Sequence, residues 1–328
     1  MVVVLTRLSA IAGAAALVAA LTGCGSASGW TTPRGSTVRV VAAFYALQFA
    51  AQQVGGSHVE VSGLTKPGAE PHDVELTPRQ VGRVATADLV VYERGFQPAV
   101  DTAVTAEAAH TALDVSRAAR LDLAAPAEDG GHDTADPLTP VDPRHHDATH
   151  ATAPGHRDPH FWLDPLRYAD VADAIAARLA QRDPGNAAAY EANAKAFRGT
   201  MTDLDADFRD GLADCRVRDL VTSHAAFGYL AERYGLHQVG ISGLDPEAEP
   251  DPATLARVTA HVRETGATTV YAETLVSQAV ARTLARETGA RLAVLDPVEA
   301  ITAASAGPDY PSVMRANLAI LRTGQECS

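Results

Sequence analysis

The sequence has 328 residues, 46% of them apolar and 20% charged, a globular rather than a disordered composition. That length accommodates two domains of ordinary size. The formal net charge of -13 argues against a nucleic-acid partner and suits a cation, although an acidic surface also serves solubility.

The N-terminus reads as a targeting segment. Arg7 precedes an apolar run from Leu8 to Ala20 that is too short for a settled membrane span. Leu21-Thr22-Gly23-Cys24 follows, and small residues before a Cys directly after an apolar run look like a bacterial lipobox. Residues 1–23 are then a lipoprotein signal peptide, with Cys24 lipidated as the first mature residue. Residues 24–36, opening on Gly25-Ser26-Ala27-Ser28-Gly29, are a flexible tether. The alternative is an ordinary signal peptide with an incidental Cys. No other stretch is long and apolar enough to span a bilayer. Export permits a disulfide between the remaining cysteines, Cys215 and Cys327; two unpaired thiols are the alternative.

Residues 38–44 form a β-branched run expected as a buried strand, and residues 45–54 a helix stopped by Gly55-Gly56. His58 to Leu64 alternates as a second strand. The loop from Lys66 to Asp73 carries Pro71 and His72. Thr77-Pro78 is a capping hydroxyl followed by Pro at the first helical position. A third strand is expected at 88–92 and a helix at 97–109. This alternation predicts a parallel sheet covered by helices.

Residues 124–158 break the pattern. They carry His132, His145, His146, His150 and His156 among Pro, Gly and Asp, and are expected as a disordered loop. Asp164-Pro165 restarts a helix. From 186 to 213, Tyr190, Phe197, Met201, Leu204, Phe208 and Leu212 recur at helical spacing. Such a helix would span roughly 40 Å and could join two domains as a rigid connector. The second half repeats the alternation: strands at 218–222, 238–241, 268–272 and 291–295, and helices at 224–234, 252–265, 276–288 and 311–321. The predicted fold class is therefore α/β. A lobe at 37–185 and a lobe at 214–328 are joined by the helix at 186–213.

Four residues on this map suit a metal. His72 lies after the second strand, His224 two residues past the strand ending at Thr222, and Asp296 directly after the strand ending at Leu295. Ligands in parallel α/β sheets bind outside the carboxyl ends of strands. His160, in Asp158-Pro159-His160-Phe161-Trp162-Leu163-Asp164-Pro165, comes from the first lobe. Singly, each has a bland reading as a turn or capping residue. Jointly, three imidazoles and one carboxylate in a cleft between lobes make a closed ligand set suited to zinc.

The residues from Pro67 to Pro78 followed by Ala87 to Tyr92, then Asp158 to Pro165, Ser223 to Tyr229, and Val294 to Pro297, resemble in order the four ligand motifs of the metal-binding solute-binding proteins of bacterial ABC transporters, and specifically the zinc-binding lipoproteins among them. The resemblance covers essentially the whole mature chain. It implies a two-lobe fold with a long helix, and zinc captured at His72, His160, His224 and Asp296 for delivery to an ABC permease. A His at 224, where manganese-type members tend to have Glu, implies zinc. Glu273, which also follows a strand, is expected to orient a ligand and is the main rival to Asp296. The histidine-rich loop resembles that of zinc-type members and implies weak accessory zinc binding. The expected protein is a monomer, exported and lipid-anchored at the outer face of the cytoplasmic membrane or periplasmic, and not an enzyme. Alternatives are a manganese receptor, an adhesin of the same fold and, least, a zinc-dependent hydrolase, for which no His-Glu-x-x-His is present.

Overall fold

The structure, a computed structural model, describes residues 37–124 and 157–328. The expected signal peptide, Cys24, the tether and the histidines at 132, 145, 146, 150 and 156 lie outside the described residues.

Each half of the chain builds one four-stranded sheet. β1 (Val38–Ala42), β2 (Val59–Gly63), β3 (Leu89–Tyr92) and β4 (Ala112–Asp114) pair in the order β2-β1-β3-β4. β5 (Asp219–Thr222), β6 (His237–Gly240), β7 (Thr269–Ala272) and β8 (Arg291–Val294) repeat it as β6-β5-β7-β8. All these pairs are parallel. The central strands are short apolar runs buried on both faces, as a parallel sheet covered by helices requires.

The helices are α1 (Tyr45–Gly55), α2 (Pro78–Thr86), α3 (Pro98–Ala103), α4 (Ser116–Ala119), α5 (Pro165–Arg182), α6 (Ala187–Gly211), α7 (Gly228–Tyr234), α8 (Pro252–Thr265), α9 (Ala279–Thr288) and α10 (Tyr310–Gly324). Several of them start where their capping side chains dictate, α10 at Asp309 among them. Thr77 and Gln80 form a reciprocal capping box at α2, Asp164 accepts from the Leu166 and Arg167 N–H groups at α5, and Asp251 does the same for Ala253 and Thr254 at α8.

Three differences from the sequence expectations are local. β4 and α4 were not expected, because neither is long enough to show a period. The helix predicted over 97–109 is α3 followed by a π-helical turn at Val104–Ala108. The helix predicted from residue 224 begins at Gly228. The reason is hydrogen bonding: the His224 N–H is taken by the Glu273 carboxylate and the Ala225 N–H by the Gly243 carbonyl.

The 25-residue α6 is about 37 Å long at the ordinary helical rise. It lies along α5 and touches both α1 and α10. Its predicted apolar stripe, Tyr190, Phe197, Met201, Leu204 and Phe208, is buried, as is Leu212 just beyond. One hydrophobic core runs from Val40 and Leu89 of the first sheet, through that stripe, to Leu220 and Tyr271 of the second. A smaller core under α8 and α9 includes Val258, Val262 and Leu284. Thr37–Ser328 form one compact unit, so the two sheets are halves of a single packed body. Cys215, just past α6, is disulfide-bonded to Cys327 at the end of the chain.

Candidate metal centre

His72 sits in the long loop between β2 and α2. That loop is held from beneath by two buried amides: the Gln80 side chain donates to the Leu64 carbonyl at 2.6 Å and the Gln97 side chain to the Pro71 carbonyl at 2.8 Å. The His72 N–H donates to Glu70 Oε1 at 2.9 Å, and its ring stands edge-on to Phe96 with centroids 4.7 Å apart.

His160 precedes a single 3-10 turn, Phe161–Leu163, that leads into α5. Its backbone N–H and its Nδ1 both bond Asp158 Oδ1, at 2.9 and 2.8 Å. A carboxylate can only accept, so Nδ1 donates to it, and Nε2 is the nitrogen turned toward His72. His224 is held the same way from the other half. Its N–H donates to Glu273 Oε1 at 3.0 Å and its Nδ1 to Glu273 Oε2 at 2.6 Å. The pairing follows from topology, because β5 and β7 are neighbours and each residue leaves its strand end at the same mouth of the sheet.

The fourth group is Glu299, not the expected Asp296. One ligand atom from each of His72, His160, His224 and Glu299 lies within 4.8 Å of every other. Asp296 is outside this cluster and serves the turn that delivers Glu299. Its Oδ1 accepts from the Val298 N–H at 2.8 Å, and its backbone exchanges two hydrogen bonds with the Asn317 side chain. Val298 is buried with φ 57°, a left-handed conformation that a β-branched residue adopts only where surrounding contacts impose it. The Trp162 indole donates to the Pro297 carbonyl at 2.8 Å, tying this turn to the His160 segment. Glu273, the expected rival, meets the Nδ1 of His224 and so lies on the far side of that ring from the centre.

Glu299 Oε1 is 3.3 Å from the Nε2 of both His72 and His160, and 3.5 Å from that of His224. The Nε2 atoms of His72 and His160 are 3.3 Å apart. A tetrahedral ion with N and O ligands at about 2.0–2.2 Å needs ligand-to-ligand edges of about 3.3–3.6 Å. All four of these edges fit. His224 Nε2 and Glu299 Oε2 are buried with no hydrogen-bond partner among the described residues, which leaves them free for an ion.

The electrostatics match the geometry. Burial alone would push the Glu299 carboxyl up, but the close imidazoles of His160, His224 and His72 outweigh it and hold the group well below its ordinary range. Burial would lower His224 and His160, but Glu273 and Asp158 respectively, with Glu299, raise both imidazoles. His72, without such a carboxylate on its ring, is lowered chiefly by burial. Glu70 is pushed up to about 8 by burial and then by the Glu299 charge. Its Oε1 lies 3.8 Å from His72 Nε2, at the edge of the cluster.

The sequence thus anticipates the three histidines that the structure brings together, and misses Glu299, Asp158 and Glu70. Asp158 had a signal: a carboxylate two residues before a candidate ligand can reach back to its ring. Glu299 had none, because a strained turn carries the chain past the strand end before the carboxylate points inward.

The family model described as zinc-uptake complex component A, periplasmic, matches residues 40–324. The zinc-binding lipoprotein AdcA of Streptococcus pneumoniae (strain ATCC BAA-255 / R6) is 34% identical over 296 residues, covering 88% of this chain and 56% of that relative. The chain therefore spans about half the length of the AdcA relatives it matches. The high-affinity zinc uptake system protein ZnuA of Bacillus subtilis (strain 168) is 31% identical over 309 residues, 93% of each chain. Among solved structures, the Zn(II)-bound ZnuA-like domain of Streptococcus pneumoniae AdcA superposes with a TM-score of 0.68 at 31% identity, covering 89% of this chain and 100% of that domain. On the match over residues 40–324 and the alignment over 93% of both chains with the Bacillus relative, this chain belongs to the zinc-uptake complex component A family.

Proposed function

We propose that this protein is an extracytoplasmic zinc receptor that captures Zn2+ at His72, His160, His224 and Glu299 and delivers it to an ABC-type permease. The observation that carries this reading is the cluster of three imidazole nitrogens and one carboxylate oxygen, all within 4.8 Å of one another, with two of the imidazoles oriented by buried carboxylates. Imidazole-rich donors favour zinc over manganese, which prefers oxygen ligands. Four protein donors fill a tetrahedral ion and leave no open position for a catalytic water, which favours a receptor over a hydrolase.

Delivery requires release as well as capture. The shared core through α6 argues for small movements of the site loops, not a wide opening of two independent lobes. The histidines at 132, 145, 146, 150 and 156 would hold further zinc weakly, and Cys24 would carry the lipid anchor at the outer face of the cytoplasmic membrane. Deleting residues 128–156 should leave one tight zinc site, and loss of that site would contradict the accessory role. The receptor reading is tested by metal competition on purified metal-free protein: one zinc per chain, not displaced by excess manganese, is expected. Equal or preferred manganese binding would overturn the zinc assignment.

A further inference from the structure

We infer that Gly228, which touches no metal, is a positioning residue for the His160 ligand, acting through Asp158. The inference rests on the zinc-receptor reading for its consequence but on the geometry of the metal-free protein for its cause. Gly228 opens α7 in the second half of the chain, while Asp158 and His160 belong to the first. A Cβ built on Gly228 would lie 2.4 Å from Asp158 Oδ2, inside any real contact distance. The next nearest atoms, a methyl carbon of Leu123 at 3.4 Å and Asp158 Cγ at 3.7 Å, leave ordinary room. The missing side chain therefore makes space for one carboxylate oxygen.

Backbone freedom does not explain the glycine. Gly228 is not among the residues with positive φ, so an alanine would be accepted on conformational grounds and would favour the helix. Nor can either partner retreat easily. Asp158 is 3% exposed, and its other oxygen accepts two hydrogen bonds from His160. α7 is clamped to its neighbours: Arg233 bonds Asp205 of α6 at 2.5 Å and approaches Asp164 at the start of α5 at 3.4 Å, and the Arg167 guanidinium of α5 lies 4.6 Å over the Tyr229 ring. A methyl group at position 228 must then push Asp158 away from His160. The imidazole would lose the acceptor that fixes its Nδ1 proton and aims its Nε2 at the centre. Position 228 thereby couples the second half of the chain to a ligand supplied by the first.

The test is a double-mutant cycle in zinc affinity, with Gly228→Ala, Asp158→Ala and the double variant in the full mature chain. Gly228→Ala should weaken zinc about tenfold to a hundredfold, the range for losing a group that orients a ligand. In the Asp158→Ala background the same change should cost less than about twofold, because the clashing atom is gone. Equal losses in both backgrounds, or no loss in the single variant, would overturn the inference. If Gly228→Ala fails to fold, folding restored in the double variant supports the contact with Asp158, and failure of both variants refutes it. An NMR measurement on the metal-free protein separates this inference from the zinc reading. The hydrogen-bonded His160 Nδ1 proton should disappear or shift strongly in Gly228→Ala, whether or not the wild-type chain binds zinc. An unchanged resonance would overturn the inference even if zinc binding is established.

Discussion

The two sheets share one strand order but use their mouths differently. In the second, the residues that follow the adjacent strands β5 and β7 meet directly, His224 Nδ1 on the Glu273 carboxylate. In the first, the corresponding strands β1 and β3 are followed by Phe44 and Glu93. Phe44 packs on Phe96 and Trp162, each with ring centroids 5.1 Å away. Glu93 is buried, and burial followed by the nearby Asp158 charge pushes its carboxyl well above the ordinary range. That mouth is a packing platform, and its ligands arrive on longer segments laid over it. One sheet therefore places a member of the cluster at its strand ends, while the other supports loops that bring theirs.

Removing a donor should break the contrast most severely. His224→Ala should weaken zinc roughly a hundredfold to a thousandfold, taking one ligand as about a quarter of the ~10–16 kcal/mol of a four-ligand zinc site. A loss under tenfold in a competition titration would show that the second sheet's mouth is not where the ion sits. Glu273→Gln keeps the shape of the side chain but weakens its hold on the His224 Nδ1 proton; a loss of about tenfold to a hundredfold is expected. The disulfide lies away from both mouths. Cys215→Ser with Cys327→Ser should cost about 2–5 kcal/mol in denaturant unfolding while zinc stoichiometry stays the same.

Acid should act through the two carboxylate-held rings. His160 and His224 titrate above the ordinary imidazole value, so in the metal-free protein they keep protons to higher pH. Zinc must displace those protons, so affinity should fall as pH drops through the raised values, beginning above about 6.5. An affinity flat from pH 8 down to 6 would contradict this. The smallest expected effect is that of Trp162→Phe, which removes the indole N–H from the Pro297 carbonyl and loosens the turn carrying Glu299. A several-fold rise in the zinc off-rate is expected, with little change at the His224 side.

Much of this architecture was legible in the sequence because the physics is local. Caps such as Thr77-Pro78 and Asp251-Pro252 mark helix starts, and the α6 stripe from Tyr190 to Phe208 marks a buried helix face. The three histidines were legible because each sits in a loop at a strand end or a helix start. Glu299 was not, since its placement depends on a buried valine at φ 57° and on hydrogen bonds from Asn317 and Trp162, distant partners that no window of sequence contains. Asp296 was expected as the ligand because it is a carboxylate directly after a strand; followed by proline, it also caps its own turn.

The most direct measurement compares Glu299→Ala with Asp296→Asn in zinc competition on metal-free protein lacking residues 1–24. Tight one-site zinc binding that collapses in Glu299→Ala, and survives in Asp296→Asn with a loss of only several-fold, is the predicted result. Tight binding retained in Glu299→Ala but lost in Asp296→Asn would contradict the four-donor centre described above.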